Sequence, residues 1–255
     1  MMKQILLITD GCSNVGVSPV VAAARALAEG IVVNVIGIVD DSPIGESGAG
    51  EIAEIARAGG GMSRLVNDRQ LAKTMQMMTR QTVNRTIRGV VGQELRQIFG
   101  RSELTELPPA DRAQVVEVID ELSETTPLRV ALLIDCSASM KPKLAAVREA
   151  IRDLLLSLQA RGGKSEISVH HFPASRSGGE EAELDVDWTS ELAKLNNLFY
   201  KLNMKGTTPT GPALLQCVRY IIETSGANER ADRFEPIVPE TGQSGEGGLL
   251  SDYVV

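Results

Sequence analysis

Two aspartates in this chain each close a run of apolar residues, and hydroxyl side chains gather close behind them in sequence. Ile5-Leu6-Leu7-Ile8 ends in Thr9-Asp10-Gly11, and Leu128 to Ile134 ends in Asp135-Cys136-Ser137-Ala138-Ser139. Ser137 and Ser139 follow Asp135 at two-residue spacing, so one turn can aim both hydroxyls and the carboxylate at a single point. A third hydroxyl, that of Thr208, lies in the loop Gly206-Thr207-Thr208-Pro209-Thr210-Gly211 ahead of a helical stretch. These are hard oxygen donors with no His or Cys among them. Such a set suits Mg²⁺ or Mn²⁺, which take octahedral oxygen ligation and keep open or water-filled positions. Turn and cap chemistry accounts for each Asp, Ser and Thr singly. It does not account for their convergence at the ends of two strands.

The pattern around these residues places them. The continuous apolar run at 5–8 reads as a strand buried on both faces; 31–39, rich in Val and Ile, and 128–134 read as further strands. Met62 to Val66 reads as a weaker edge strand. Glu166 to Phe172 and Glu183 to Asp187 read as two strands joined through 175–179, the second antiparallel at an edge. Between them lie helical stripes. Ser18-Pro19 caps and opens one that Gly30 stops. Ile52, Ile55 and Ala56 mark another, ended by Gly59-Gly60-Gly61. A third runs from Asp68 to about Arg88, and Leu144 to Leu158 is a fourth. Gln93 to Phe99 and a helix opened by Pro108-Pro109 form a connector. Thr189 is expected to cap a helix to Tyr200, and a last helix to span about 211–223. Alternating strands and helices call for a doubly wound α/β fold: a mostly parallel six-stranded sheet with helices on both faces. In such sheets ligands sit outside the carboxyl ends of the strands, where the connections diverge. Both aspartates belong there.

Composition narrows the function further. The 255 residues are 43% hydrophobic and 23% charged, with only 3% aromatics, so the core must be aliphatic. A formal charge of −7 argues against general binding of nucleic acid, which needs a basic surface. No apolar run approaches the ~20 residues that span a bilayer, and the opening apolar stretch is too short for a secretory signal. The three cysteines, Cys12, Cys136 and Cys217, have no zinc-like spacing and fit reduced thiols in the cytoplasm.

Asp135-Cys136-Ser137-Ala138-Ser139, Thr208-Pro209-Thr210-Gly211-Pro212-Ala213-Leu214 and Ile8-Thr9-Asp10-Gly11 together resemble the metal-ion-dependent adhesion site of the von Willebrand factor A (VWA) family. The likeness covers about residues 3–90 and 128–224. It places the family's Asp-x-Ser-x-Ser on Asp135, Ser137 and Ser139, its loop threonine on Thr208 and its late aspartate on Asp10. In such domains the hydroxyls bind the metal, the aspartates bind directly or through water, and a partner's Asp or Glu completes the shell. The order departs from the family's, because Asp10 comes first here. The resemblance therefore implies a circularly permuted, Rossmann-like VWA fold. Its second half would occupy 1–90, a helical connector 91–127, its first half 128–225 and a disordered tail 226–255. The strands at 4–9 and 128–134 would then be central neighbours. Permutation is tolerated where the joined ends are close and exposed. A single-chain domain is expected, with exchange of halves in a dimer as the rival arrangement. The segment Ile5 to Asn14 and the permuted order look closest to VWA proteins of endospore-forming bacteria, which implies a sporulation or kinase-linked setting.

The expected function is thus a non-catalytic cytoplasmic interaction module that holds Mg²⁺ (or Mn²⁺) on Asp135, Ser137, Ser139, Thr208 and Asp10. Its protein partner would supply a carboxylate. The alternative is a Mg²⁺-dependent phosphate-ester hydrolase with Asp10 or Asp135 as nucleophile; Lys141 is the only nearby candidate to grip a phosphate. Cys12 and Cys136, each within two residues of a site aspartate, are read as small loop fillers rather than a redox switch. Cys217 is read as core. His170 and His171 are consecutive in a strand, point to opposite faces and are read as packing. Trp188 is read as an anchor. Eight basic residues between Arg64 and Arg101, against Asp68 and Glu94, are read as a solvated face. The apolar end Leu249 to Val255 could serve as a peptide ligand for another domain.

Overall fold

The computed structural model describes residues 1–11, 13–39, 46–99, 108–174, 181–199 and 208–231. Six strands form one sheet: β1 (Met2–Thr9), β2 (Ile31–Ile38), β3 (Gly60–Val66), β4 (Leu128–Asp135), β5 (Ser165–Phe172) and β6 (Glu183–Thr189). Their order is β3-β2-β1-β4-β5-β6. Every pairing is parallel except β5 with β6, which is antiparallel at the edge. This is the doubly wound arrangement, with β1 and β4 at its centre, where the chain reverses its winding direction.

Alternation along the central strands sends successive side chains to opposite layers. Leu6, Ile8, Leu132 and Ile134 face a layer made by α3 (Leu71–Phe99) and α5 (Leu144–Gln159), packing with Met75, Met78, Val147 and Ile151. Ile5, Leu7, Ala131 and Leu133 face the other layer, made by α1 (Pro19–Ala28), α2 (Glu46–Ala58) and α6 (Thr210–Ala231). Both cores are almost wholly aliphatic; Phe172 is the largest fully buried side chain. Polar groups interrupt this pattern at a few positions, and Asn34 is the one that ties α3 to the sheet. Asn34, fully buried in β2, donates to Gln4 Oε1 at 3.0 Å and Thr82 Oγ1 at 2.9 Å, and accepts from the Met62 amide at 3.0 Å. Its amide thereby fixes α3 against the strands, since a buried polar group must find partners.

Three elements differ from the sequence expectation. The helix expected to end near Arg88 runs on to Phe99 as α3, absorbing the separate stretch at 93–99. Gly89 and Gly92 lie between the two stretches, but glycine costs only about 1 kcal/mol in an exposed helix. Val91 and the α4 residue Val115 pack against the core and hold the extension, where α4 is Pro109–Thr125. Thr189 does not cap a helix to Tyr200. It is the last residue of β6, its hydroxyl accepts from the Glu191 amide at 2.9 Å, and only a short 3₁₀ helix, Leu192–Leu195, follows. Leu195 and Leu198 are the buried anchors there, too few for an amphipathic stripe. Finally, α6 extends to Ala231, past Gly226 and Asn228, so the first six residues expected in the tail are helical. The rest of that tail, Cys12 and the 175–179 connection lie outside the described residues. Ser18 does occupy the N-cap of α1, with Pro19 in the first turn, but its side chain makes no capping hydrogen bond.

His170 and His171 point to opposite layers, as their spacing requires. His170 packs edge-on against Tyr220 of α6 and lies beside the Ser168 hydroxyl at 3.2 Å. Burial holds its imidazole at about 4, far below the ordinary value of 6.5. The unfolded chain therefore binds more protons than the folded one between about pH 6.5 and 4, and stability rises with pH through that window. The contribution is complete above about pH 6.5 and is lost towards pH 4; at ~1.4 kcal/mol per unit it amounts to about 3 kcal/mol. Urea denaturation at pH 7 and pH 4 should show the wild type losing about this much more than His170→Gln. Equal losses in both would contradict the assignment.

Candidate metal-ion site

The carboxyl ends of β1 and β4 lie side by side, with Ile8 opposite Ile134. That register sets Thr9 level with Asp135, and Asp10, one residue past the end of β1, turns back to the same corner and meets Ser139, so segments 125 residues apart in sequence converge there. Asp135 is fully buried. Its Oδ2 accepts from the Thr9 hydroxyl at 2.7 Å and its Oδ1 from the Ser137 amide at 2.8 Å. Beyond Ser137 the chain turns through a 3₁₀ helix, Ala138–Lys143, before α5 begins. That turn sets the Ser137 and Ser139 hydroxyls 3.1 Å apart, and the Ser139 hydroxyl donates to Asp10 Oδ1 at 2.9 Å. The result is a continuous hydrogen-bonded chain across both strand ends, Asp135 to the Ser137 amide, Ser137 to Ser139 through their hydroxyls, and Ser139 to Asp10. Asp135 is its buried floor and Ser139 its exposed rim.

Thr208 arrives from the loop ahead of α6. Its amide donates to Asn14 Oδ1 at 2.8 Å, and its carbonyl accepts from the Asn14 amide at 3.2 Å and the Ser13 hydroxyl at 3.3 Å. The segment just after Asp10 therefore grips the residue expected to supply the third hydroxyl. A second tie holds the same segment, the Ser13 amide donating to Glu51 Oε2 of α2 at 3.0 Å. Two glycines make the close approach possible. Gly16 sits at φ +86°, and a Cβ there would come 2.4 Å from Pro212 Cγ; a Cβ on Gly211 would come 1.8 Å from the Val17 carbonyl oxygen.

Among the described residues, the electrostatics are those of an anionic pocket with one internal cation. Lys143 Nζ donates to Asp10 Oδ2 at 2.7 Å, with side chains only 7% and 4% exposed. Burial pushes the Asp135 carboxyl above its ordinary range and the nearby Asp10 charge pushes the same way, while the Ser137 and Thr9 hydrogen bonds pull it back. Among the described residues, two carboxylates against one ammonium leave a negative charge in excess. Among the described residues no three His, Cys, Asp or Glu side chains gather as a metal would require of them alone. The donors that gather here are two carboxylates and neighbouring hydroxyls. That set fits a small hard divalent ion and suits zinc or copper poorly.

The structure thus brings Asp10, Asp135, Ser137 and Ser139 into one hydrogen-bonded cluster and ties Thr208 to its flank. It places Lys143, not Lys141, beside a site carboxylate; Lys141 is exposed. The distinction was invisible in sequence because the 3₁₀ turn with Pro142, rather than an α-helix, decides which lysine swings inward. Asn14 and Glu51 were also missed, although the Ser13-Asn14 pair behind Asp10 is a turn signal in its own right. Cys136 is buried, and burial pushes its thiol well up, so it is no thiolate at neutral pH. Cys217 is likewise fully buried. Trp188 anchors the far end of the sheet, stacked on Tyr220 with Arg129 over its ring.

The fold and corner together define a doubly wound α/β protein whose two central strands deliver an aspartate–hydroxyl cluster at the switch point. The chain is 48% identical over 214 residues to the protein YabS of Bacillus subtilis (strain 168), spanning 84% of this chain and 86% of that one. It belongs to the YabS family. A crystal structure of a protein from Alicyclobacillus acidocaldarius subsp. acidocaldarius DSM 446 superposes with a TM-score of 0.81 at 45% identity, covering 89% of this chain and 96% of that one. No protein-family model matches the chain. Proximal thread matrix protein 1 from the mussel byssus, solved with a zinc-occupied MIDAS motif, aligns at 15% identity and a TM-score of 0.28, too slight to bear on this chain.

Proposed function

We propose that this protein is a non-catalytic, cytoplasmic interaction module of the VWA type, circularly permuted, that captures a partner's carboxylate through Mg²⁺ or Mn²⁺. The observation that carries the proposal is the hydrogen-bonded chain Asp135–Ser137–Ser139–Asp10 across the ends of adjacent central strands. In this reading the hydroxyls of Ser137, Ser139 and Thr208 face the ion. Asp135 and Asp10 stand behind them: Asp10 accepts from the Ser139 hydroxyl, and Asp135 holds the Ser137 backbone in place through its amide. The ion would supply a concentrated positive charge for an Asp or Glu side chain of a partner protein, and the exposed Ser139 rim gives that side chain access. A sporulation or kinase-linked setting belongs to the same proposal and rests on the sequence resemblance alone. Affinity capture with wild type and Asp135→Ala, each with and without EDTA, tests it. Partners retained by wild type in Mg²⁺ and lost both on chelation and in the variant are the expected result. A partner list unchanged by either treatment would overturn the adhesion mechanism.

One observation favours the hydrolase alternative. Lys143 stands at Asp10, where a phosphate ester would need a cation. Against it, that lysine is buried and already paired, and both Asp135 oxygens accept hydrogen bonds, which weakens a nucleophile. A phosphatase screen with Mg²⁺ should show no turnover above that of Asp10→Asn and Asp135→Asn. Turnover abolished by either substitution would establish the enzyme instead.

A further inference from the structure

Lys143 has a consequence for the site that neither composition nor motif suggests. It is the eighth residue past Asp135, it sits at the end of the 3₁₀ turn, and its side chain is 7% exposed. A lysine is almost never buried unless paired, and this one lays its ammonium on Asp10 Oδ2 while Ser139 holds Asp10 Oδ1. Both oxygens of Asp10 are therefore engaged within the chain, one of them by a full positive charge. A divalent ion bound on the Ser137 and Ser139 hydroxyls would share the pocket with that charge.

We propose that Lys143 is a resident cation that sets the affinity of the site for divalent metal: it offsets Asp10, keeps that carboxylate out of direct ligation and holds metal binding weak. This rests on the metal-site reading above. The charge arithmetic makes separate predictions for each variant. Lys143→Met leaves two uncompensated carboxylates and should bind Mn²⁺ at least about tenfold more tightly, since a unit charge a few ångströms from a divalent ion is worth that much even at a surface-like dielectric. Asp10→Asn leaves the lysine facing one carboxylate and should weaken binding by at least about tenfold. Combining Lys143→Met with Asp10→Asn restores the original charge and should return the affinity to near the wild-type value. A merely structural lysine would not produce that recovery.

The test is titration of each purified full-length variant with Mn²⁺ alone, following the free ion by electron paramagnetic resonance, with circular dichroism to confirm folding. Tighter binding in Lys143→Met, and recovery in the double variant relative to Asp10→Asn, support the proposal. The double variant removes both members of the Lys143–Asp10 pair, so its comparison with Asp10→Asn stands even if Lys143→Met fails to fold. Mn²⁺ binding by wild type that Lys143→Met leaves equal or weaker, or a double variant no tighter than Asp10→Asn, overturns the role of Lys143 while leaving the metal site intact. No binding by any variant overturns both.

Discussion

Asp10→Ala is expected to destabilise the protein by about 3–5 kcal/mol, the cost of breaking a buried ion pair from one side. Lys143 would keep its charge in a pocket 7% exposed to solvent, with its 2.7 Å acceptor gone. The Ser139 hydroxyl would lose its acceptor as well. Lys143→Met should cost less, because Asp10 retains the Ser139 hydrogen bond at the rim and methionine fills the aliphatic volume of the lysine stem. The double variant Asp10→Ala with Lys143→Met should recover much of the loss, since removing both charges often leaves stability nearly unchanged. Urea denaturation of the four proteins closes the cycle. An Asp10→Ala cost below about 1 kcal/mol, the range of exposed ion pairs, would mean that the pair is solvated rather than buried.

Gly211→Ala should have the second-largest effect, and it acts through backbone rather than charge. The new methyl would lie 1.8 Å from the Val17 carbonyl oxygen and 3.1 Å from the Pro19 nitrogen. Neither is the flexible end of a side chain, so either the start of α6 or the loop between β1 and α1 must move. Overpacking of this kind costs about 1–3 kcal/mol. The displacement separates Thr208 from Asn14, which exchange two hydrogen bonds across the same gap. Divalent-ion binding should therefore fall in Gly211→Ala even where the protein remains folded. Gly50→Ala is the control, since a Cβ there meets no atom within 4 Å. A Gly211→Ala protein as stable as the Gly50→Ala control would show that the close approach is not required.

The legible part of this molecule was the part written in continuous apolar runs. Ile5-Leu6-Leu7-Ile8 and Leu128 to Ile134 announced buried parallel strands, and the aspartate ending each run announced the corner that β1 and β4 build. The family resemblance implied that those strands are neighbours, and the sheet order β3-β2-β1-β4-β5-β6 has them so. Helix ends were less legible. The expected helix ends near Arg88 and Glu223 fall just before glycines, which are poor helix formers, yet α3 and α6 run through Gly89, Gly92 and Gly226. Stripe-forming residues beyond those glycines, such as Val91, outweigh a local penalty, and sequence alone does not show what they meet. Thr189 misled for a related reason: its hydroxyl does cap an amide, but that of a turn at the strand end. Within the site, residue types were legible and pairing was not. Lys141 and Lys143 are equivalent in sequence, and only the path of the 3₁₀ turn makes the second the partner of Asp10. The Glu51 tie to Ser13 joins elements 38 residues apart and had no local signal.

The account stands on a hard divalent ion occupying the oxygen cluster where β1 and β4 end. Isothermal titration of the full-length protein with Mg²⁺, and separately Mn²⁺, is the direct measurement, with Asp135→Asn as the near-isosteric control that removes the buried charge. The account predicts one saturable site per chain in the wild type and at least a tenfold loss of affinity in Asp135→Asn, as expected for removing a unit charge beside the ion. Absence of saturable binding in the wild type, or identical binding in both proteins, would contradict it.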